Sequence, residues 1–563
     1  MLDSNNLKEM ASEADELLLA KKHSKIEELL ERYQRVNYVF ESLSDEAQFY
    51  YTLGNCSQEL FNYHNLDWFS DKLSKAVIFF RKALYVVRQI DFPSEAERYL
   101  KSCIATNLGN NLSSQGRAFC CIPFWDDALK YFENPVAIIS KAQNELFIAD
   151  VLYDQGHRAF HYFAAYQLIN LGLKSQDQLY PEQKLAYSKE SQFIKFKEWF
   201  EVNYRLEDFE YFETYEGECV TRKEKEYLRW CGDNKLFIND LNDVSCFEIA
   251  YQDILSLPSF SYDINTALTM HEKLMYHGNF DELKNDYCYA RYLVFTARNI
   301  PSEQKHFSNS TYPHIEDMSH SITNLKASHY KSAFKTLYSL FDKIAYFMHR
   351  FCDLNDIGDD HKVDFDKVFK DLKSRKKWKP HTKLKSSHNC FIHALFFILK
   401  DIRDVDGSTV HRYLDPDAQE FFKIRNFIEH RSLKIVDDFG YTLLQSDKDL
   451  KEAELDKLEV LINDLTAQIV ELNRKIDETK SDQSEEVEIL EMKLEQALLK
   501  KHEKKKLSSH SMLISESEFK SRLMTLMRLV RNSIMYLSLA IHAEEQNKPD
   551  DGKVLIPSTL FFK

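Results

Sequence analysis

The sequence is poor in the residues that reverse the direction of a chain. Its 563 residues include only twelve Gly and eleven Pro, about 2% each against typical usage near 7% and 5%. A β-sandwich, a β-barrel or a doubly wound sheet needs many more tight turns than these residues could build. Hydrophobic residues make up 44% and charged residues 29% of the chain, which is typical of folded proteins. The composition therefore predicts an all-α protein of several domains.

Several signatures of catalytic and binding sites are missing from the sequence. It contains no G-x-G-x-x-G and no G-x-x-x-x-G-K-[ST], so dinucleotide and P-loop phosphate sites lack their glycines. It has neither a C-x-x-C pair nor H-E-x-x-H, which argues against zinc ribbons and zincin proteases. We therefore expect no cofactor and no metal site.

The sequence also lacks long apolar runs. No uninterrupted apolar stretch approaches the roughly eighteen residues of a membrane span, and the N-terminus, Met-Leu-Asp-Ser-Asn-Asn, is unlike a signal peptide. The ten cysteines are scattered, so we expect reduced thiols in a cytoplasmic protein with no membrane partner. Because the net charge is −15, any nucleic-acid surface must be a local patch.

Residues 1–180 are predicted to form stacked helical hairpins. Two segments share the order Leu-Gly, then Ala, then Phe: Leu53, Gly54, Ala76, Phe80 and Leu108, Gly109, Ala128, Phe132. The small residues permit close helix approach, and the large ones fill the gap. The order resembles the tetratricopeptide pattern, although Leu-Gly recurs here after about 55 residues instead of about 34. The resemblance implies a helical solenoid that binds a protein or a peptide.

Residues 181–310 are predicted to be a helical connecting region, and residues 311–546 a four-helix bundle. In the connecting region, Arg229 to Asp243 indicates a helix end, a turn and a short apolar stretch. The expected bundle helices are a long one around Ala333 to Phe351, then Phe391 to Asp404, then Asp415 to about Ile435, and a fourth from Ser515. Residues 547–563 are a tail.

An insertion at residues 447–507 separates the third and fourth bundle helices. Two apolar series with alternating spacings of four and three predict either a protruding coiled-coil hairpin or an intermolecular coiled coil there, and a dimerisation arm is a reasonable use for it. The series are Leu458, Ile462, Leu465, Ile469, Leu472, Ile476 and Val487, Leu490, Leu494, Ala497.

The third bundle helix carries the residues that could perform chemistry. At 100° per residue from Phe421, the side chains of Arg425, Glu429, Asn426 and His430 fall near about 40°, 80°, 140° and 180°. They form one polar stripe, with Arg425 over Glu429 and Asn426 over His430. The core face of this helix is predicted to consist of Phe421, Ile424, Phe427 and Ile428. Arg431 lies off the stripe and is expected to snorkel.

The stripe resembles the defining Arg-x(4–6)-His motif of the HEPN superfamily (higher eukaryote and prokaryote nucleotide-binding), and Asn426 is the polar residue expected just after the arginine. The segment Ile424 to Arg431 is particularly close to a bacterial HEPN subfamily with tetratricopeptide-like N-terminal helices. The stretch Trp230 to Asp243 also looks like that subfamily. A second Arg–His pair, Arg375 and His381, encloses a proline and cannot occupy a helix interior.

The resemblance implies a function, because many HEPN proteins are metal-independent ribonucleases. It implies an endoribonuclease with Arg425, Asn426 and His430 as catalytic residues, at a composite site where two copies of the helix meet in a homodimer formed through the HEPN bundle. The expected products are a 2′,3′-cyclic phosphate and a 5′-hydroxyl. Related bacterial proteins are commonly toxins or anti-phage effectors, which implies a defence function regulated by an unknown protein or peptide trigger at residues 1–180.

A local basic segment supports RNA as a partner. Residues 373–385 hold seven Lys or Arg, no acid and one Trp, so we expect phosphate binding by Lys376, Lys377 and Lys379 and base stacking by Trp378. A second basic run, Lys500–Lys506, is more typical of a charged helix end.

Two non-catalytic interpretations remain open at this stage. The chain is either an adaptor, in which the solenoid and the coiled coil assemble partners, or an antitoxin-like or nucleotide-binding HEPN partner of a nucleotidyltransferase. Loss of function on replacing Arg425 or His430 distinguishes the enzyme from both.

Overall fold

The fold is taken from a computed structural model of the chain. The structure describes residues 3–34, 38–64, 67–130, 132–179, 181–261, 270–309, 320–354, 360–371, 379–402, 416–479, 484–508, 511–548 and 552. The predicted RNA-binding residues Lys376, Lys377 and Trp378 lie outside these residues, as does Asp415, where the third bundle helix is predicted to begin.

The described residues are mostly helical, which confirms the all-α prediction. The helices before residue 250 are α1 Ser4–Leu19, α2 His23–Gln34, α3 Leu43–His64, α4 Asp71–Val87, α5 Glu95–Ser114, α6 Ile122–Leu129, α7 Pro135–Val151, α8 Gln155–Lys174, α9 Pro181–Lys184, α10 Gln192–Asn203, α11 Glu210–Thr214, α12 Arg222–Asp233 and α13 Leu241–Val244. Those after it are α14 Met270–Arg298, α15 Leu325–Phe351, α16 Phe365–Phe369, α17 Thr382–Lys385, α18 Cys390–Ile402, α19 Pro416–His430, α20 Asp438–Thr479, α21 Ser484–Ser508 and α22 Glu516–Gln546.

Two strands accompany these helices, β1 Ser432–Val436 and β2 Ser511–Ser515. Contacts divide the chain into two compact units. The first unit comprises residues 1–289, 337–419 and 527–563, and the second comprises residues 290–336 and 420–526.

In the first unit, neighbouring N-terminal helices pack in pairs, α3 on α4, α5 on α6 and α7 on α8. The two Leu-Gly positions are points of close approach. A Cβ atom at Gly54 would lie 2.7 Å from the ring of Phe80, and one at Gly109 would lie 2.5 Å from the indole of Trp125. Glycine is therefore required at both positions, and in the second hairpin Trp125 is the large residue that fills the gap.

The stretch around Trp230 to Asp243 folds as predicted, since α12 ends at Asp233 and Leu236 to Ile238 are buried. Arg531 of α22, itself buried, donates to the carbonyl oxygens of Phe237 at 2.7 Å and Asn239 at 2.6 Å. Its Nη1 also lies 2.7 Å from the carboxylate of Asp243. Buried backbone acceptors need such partners, so these contacts hold the segment against α22 within the first unit.

In the second unit, aromatic rings bring three predicted bundle helices together. The ring centroid of Phe334 on α15 lies 6.4 Å from that of Phe421 on α19 and 5.8 Å from that of Phe519 on α22. An ion pair between the buried Lys326 and the half-buried Glu516, with Nζ 2.7 Å from the carboxylate, joins the beginnings of α15 and α22. In this unit α19 therefore packs against α15 through its apolar face.

The third bundle helix ends earlier than predicted. It stops at His430, and Ser432–Val436 forms β1, which pairs in parallel with β2 in the register Ser432 to Ser511 through Val436 to Ser515. Ile322 donates its backbone N–H to the carbonyl of Ile435 at 2.7 Å. The prediction of helix to Ile435 was wrong because a short apolar run is compatible with both periods, and only a distant partner strand decides between them.

The insertion forms two long helices, α20 and α21, which pack against each other. Leu465 and Ala497 of the two predicted apolar series are buried. Lys501 Nζ lies 3.1 Å from Glu459 across the pair. The two helices of the insertion thus pack on each other within one chain, with one residue of each series buried.

No helix in the part of the chain that the structure describes combines the length and the apolar character needed to cross a membrane.

Candidate functional site

The helix α19 presents its apolar face to the protein and its polar stripe outward. Phe421 and Ile424 are buried, and Phe427 and Ile428 are half-buried. The guanidinium carbon of Arg431 lies 5.2 Å from the centroid of the Phe427 ring, which explains how a charged residue lies outside the polar stripe.

The first two residues of the motif contact each other. Arg425 and Asn426 are both half-buried, and Nη1 of Arg425 donates to Oδ1 of Asn426 at 3.1 Å. This pairing differs from the expected one, in which Arg425 lies over Glu429. Because one nitrogen of the guanidinium is held by a neutral amide, its positive charge is not neutralised by that contact, and the remaining donors keep the fork geometry that suits phosphate.

Glu429 instead pairs with a lysine from another helix. Lys335 Nζ on α15 lies 3.2 Å from the carboxylate of Glu429. One turn along α15, the half-buried Lys331 donates to the carbonyl oxygen of Leu433 at 2.6 Å, and burial lowers the pKa of Lys331. Two lysines of α15, Lys331 and Lys335, therefore lie beside the C-terminal end of the motif. The stripe predicted from the sequence contains only the acid Glu429 at this position.

His430 is the last residue of α19 and is exposed. Its imidazole forms no hydrogen bond or ion pair with any described residue. The expected placement over Asn426 thus leads to no hydrogen bond between the two side chains. An exposed imidazole is accessible to a ligand, and histidine is a common general acid or base in catalysis.

One residue of this face was missed by the sequence reasoning. Phe422 lies at about 100° on the same helical projection, in the middle of the stripe between Arg425 and Asn426. Its side chain is 49% exposed, although a phenylalanine on a helix is ordinarily part of a core. The sequence could have indicated Phe422, because the helical projection that predicts the stripe also places Phe422 within it.

The basic segment at residues 373–385 contributes one described candidate. Lys379 is exposed, and its carbonyl oxygen accepts from the backbone N–H of Asp371 at 2.9 Å. It belongs to the first unit, whereas Arg425, Asn426 and His430 belong to the second. Its expected role, like those of Lys376, Lys377 and Trp378, stays a prediction.

The described residues also bear on metal binding. Among the described residues, no group of three or more His, Cys, Asp or Glu side chains is arranged to hold a metal ion. The groups that this face of α19 does offer are a guanidinium, an amide, an imidazole and an aromatic ring. Together they suit a planar, phosphate-bearing ligand such as a nucleotide in RNA.

Comparison with known proteins identifies this part of the chain. Residues 268–465 match the family model of LA2681-like HEPN domains, a segment that includes α19 and its whole stripe. No curated protein and no solved structure matches the chain.

Proposed function

We propose that this chain, whose residues 268–465 belong to the HEPN superfamily, is a metal-independent endoribonuclease that acts in the cytoplasm as a toxin or anti-phage defence effector. The observation that carries the proposal is the outward face of α19. There a half-buried guanidinium with free donor capacity and an exposed imidazole lie five residues apart on one helix.

The reaction assigned to this site is attack of a ribose 2′-oxygen on the adjacent phosphorus. The O–P bond to the 2′-oxygen forms, the bond to the 5′-oxygen breaks, and one proton passes from the 2′-hydroxyl to the leaving 5′-oxygen. Histidine side chains can remove the first proton and supply the second. Arg425 would bind the phosphate oxygens with two parallel donors as their charge grows, and Asn426 orients Arg425 through its hydrogen bond.

A single copy of α19 offers one imidazole, whereas the reaction needs both a base and an acid. A homodimer in which two copies of the helix meet across a two-fold axis supplies His430 and Arg425 twice. A single self-complementary patch is enough to form such an interface, because each residue meets its symmetry mate. This geometry favours a homodimer through the HEPN domain, with RNA in the cleft.

The test uses the full chain. His430→Ala and Arg425→Ala are expected to lower the RNA cleavage rate by about 10²–10⁴-fold and to abolish toxicity in growing cells. Arg431→Ala, which changes an arginine beside the motif that packs on Phe427, is the matched control and should retain activity. Cleaved RNA should carry a 2′,3′-cyclic phosphate and a 5′-hydroxyl.

Equal RNA integrity and equal growth for wild type and both motif variants would contradict the nuclease. That result would favour an adaptor or an antitoxin-like partner, in which α19 serves only as an interface.

The helical N-terminal region is proposed to restrain the nuclease and to receive a protein or peptide trigger. Two of the exposed aromatic side chains there are Tyr85, exposed by 71%, and Phe92, exposed by 99%, and aromatic residues are enriched at binding surfaces. Replacing Tyr85 and Phe92 by serine should change toxicity in cells without changing the melting temperature. Unchanged toxicity would argue that these side chains take no part in regulation.

A further inference from the structure

The parallel pairing of β1 and β2 brings together two helix ends that are far apart in sequence. Ser432 pairs with Ser511, so the residues that precede each strand emerge at the same end of the pair. The helix α19 ends at His430, two residues before Ser432, and α21 ends at Ser508, three residues before Ser511. His430 and the end of α21 therefore lie at one end of this small sheet.

The chain geometry sets an upper limit on their separation. An extended residue spans at most about 3.6 Å, and neighbouring strands lie about 4.8 Å apart. The Cα atoms of His430 and Ser508 are therefore no more than about 23 Å apart. Lys504 to Lys506 lie within the last turn or so of α21, which rises only about 1.5 Å per residue. A single RNA strand of several nucleotides covers such a distance.

The end of α21 nearest His430 is also the basic end of that helix. Residues 484–495 contain five Glu and one Lys, whereas Lys500–Lys506 contains five Lys and one Glu, in a chain of net charge −15. Lys500 is exposed, and Lys501 pairs with Glu459. The helix dipole favours cations only within the last turn. Five lysines in seven residues repel one another, and a polyanion bound there offsets that repulsion.

We propose that Lys500–Lys506 is a second RNA-binding element, which holds the phosphates of the strand that continues past His430. This proposal goes beyond the expectation that the run is only a charged helix end. The inference rests on the proposed function in its choice of RNA as the ligand. The element would extend the contacts with RNA beyond the scissile phosphate and so tighten substrate binding.

The experiment measures binding of a single-stranded RNA by fluorescence anisotropy as a function of salt, in a His430→Ala background so that the RNA stays intact. A triple variant carries Lys504→Gln, Lys505→Gln and Lys506→Gln. Each lost phosphate contact should reduce the slope of log affinity against log salt by about 0.7, so the triple variant should lose about 2. Affinity at low salt should fall by at least about tenfold.

The matched control carries Arg474→Gln, Lys475→Gln and Lys493→Gln, which removes the same charge from the same pair of helices, further along the sequence from β1 and β2. It should bind RNA as the His430→Ala parent does. Circular dichroism checks that both triple variants keep the helices.

The outcomes separate the two proposals. If both triple variants keep the salt slope of the parent, the RNA-binding role of Lys500–Lys506 is overturned, even where the wild type cleaves RNA. If the slope falls only for the first variant but the wild type never cleaves RNA, the binding element stands and the nuclease proposal does not. If the parent binds no RNA at any salt concentration, the binding element is overturned, whereas the nuclease proposal is decided separately by whether the wild type cleaves RNA.

Discussion

Nη1 of Arg425 donates a hydrogen bond to Oδ1 of Asn426, the next residue of α19, over 3.1 Å. Adjacent residues of a helix rarely face each other, so this bond turns the guanidinium along the helix surface. It fixes the direction of the remaining donors before any ligand binds. Preorganised donors stabilise developing charge better than donors that must reorient.

Asn426→Ala should therefore slow RNA cleavage without changing the fold. Loss of a hydrogen bond to a charged group corresponds to about 1.5–3 kcal/mol, so we expect a rate about ten- to a hundredfold lower, seen mainly in kcat. Lys423→Ala on the same helix, whose side chain pairs with Glu420, is the control and should leave kcat unchanged. Wild-type kcat in Asn426→Ala would show that Arg425 needs no orientation by the amide.

Glu429→Gln should tighten RNA binding, because it removes a negative charge and releases Lys335, whose ammonium lies 3.2 Å from the carboxylate. The gain should be about threefold to tenfold at low salt and should fade as salt screens the lysine. Glu420→Gln, which breaks the similar pair with Lys423 at 2.9 Å, is the matched control. Equal gains in both variants would assign the effect to net charge alone.

Phe422→Ala should weaken RNA binding by about 1–3 kcal/mol, the value typical of a base stacked on an aromatic ring. The ring is 49% exposed and lies within the stripe of α19. Phe439→Ala removes another exposed ring of the same unit, 73% exposed, and should have no effect. Loss of the dimer in Phe422→Ala, measured by sedimentation, would instead assign Phe422 to the interface between two copies.

Gly109→Ala should destabilise the protein, because the new Cβ would lie 2.5 Å from the indole of the buried Trp125. Overpacking of this kind typically costs about 1–3 kcal/mol of unfolding free energy. Gly278→Ala is the control, since no other side chain or element among the described residues lies within 4 Å of its Cβ position in α14, and alanine there should stabilise the helix by up to about 1 kcal/mol. Urea denaturation measures both, and an unchanged midpoint for Gly109→Ala would contradict the close approach.

The stability of the protein should fall in alkaline solution. The buried His161 has its Nδ1 2.6 Å from Glu145 and its Nε2 3.1 Å from Asp240. Burial alone lowers the pKa of His161, but hydrogen bonds to Asp240 and Glu145 outweigh it and raise the pKa to about 9. Because the pKa of His161 is higher in the folded state than in the unfolded state, the protonated imidazole stabilises the fold. This stabilisation is complete below about pH 6.5 and is lost as the pH rises through about 9.

We expect the unfolding free energy to decrease by up to about 3 kcal/mol between pH 6.5 and 9.5, measured by urea denaturation. Burial lowers the pKa of His157, but the hydrogen bond to Asp240 outweighs burial and raises the pKa. His157 therefore adds to the same loss of stability in alkaline solution. In His161→Gln the pH dependence should be flatter, although the protein is less stable throughout. A stability that rises over this range in the wild type would refute the charged state of His161.

Much of the fold follows from local patterns in the sequence. The scarcity of Gly and Pro predicts helices, and the spacing of apolar residues places Phe421 and Ile424 in the core. The close approach at Gly54 is also predicted, whereas at Gly109 the large partner is Trp125 and not Phe132. A glycine in a helix indicates that something approaches it, but not which side chain does.

The candidate site was likewise predicted from the sequence only in part. Periodicity alone gives the stripe of Arg425, Asn426 and His430, since residues four apart share a helix face. It gives the wrong partner for Glu429, because Lys335 comes from a different helix.

The sequence by itself determined the helical class, the two apolar series of the insertion and the polar face of one helix, because each depends on residues within a few turns of one another. Only the tertiary structure decided that Ser432–Val436 is a strand and that it pairs in parallel with Ser511–Ser515. Strand pairing is a contact between distant segments, and no local period encodes the partner. That contact also brings the end of α21 to the same end of the sheet as His430.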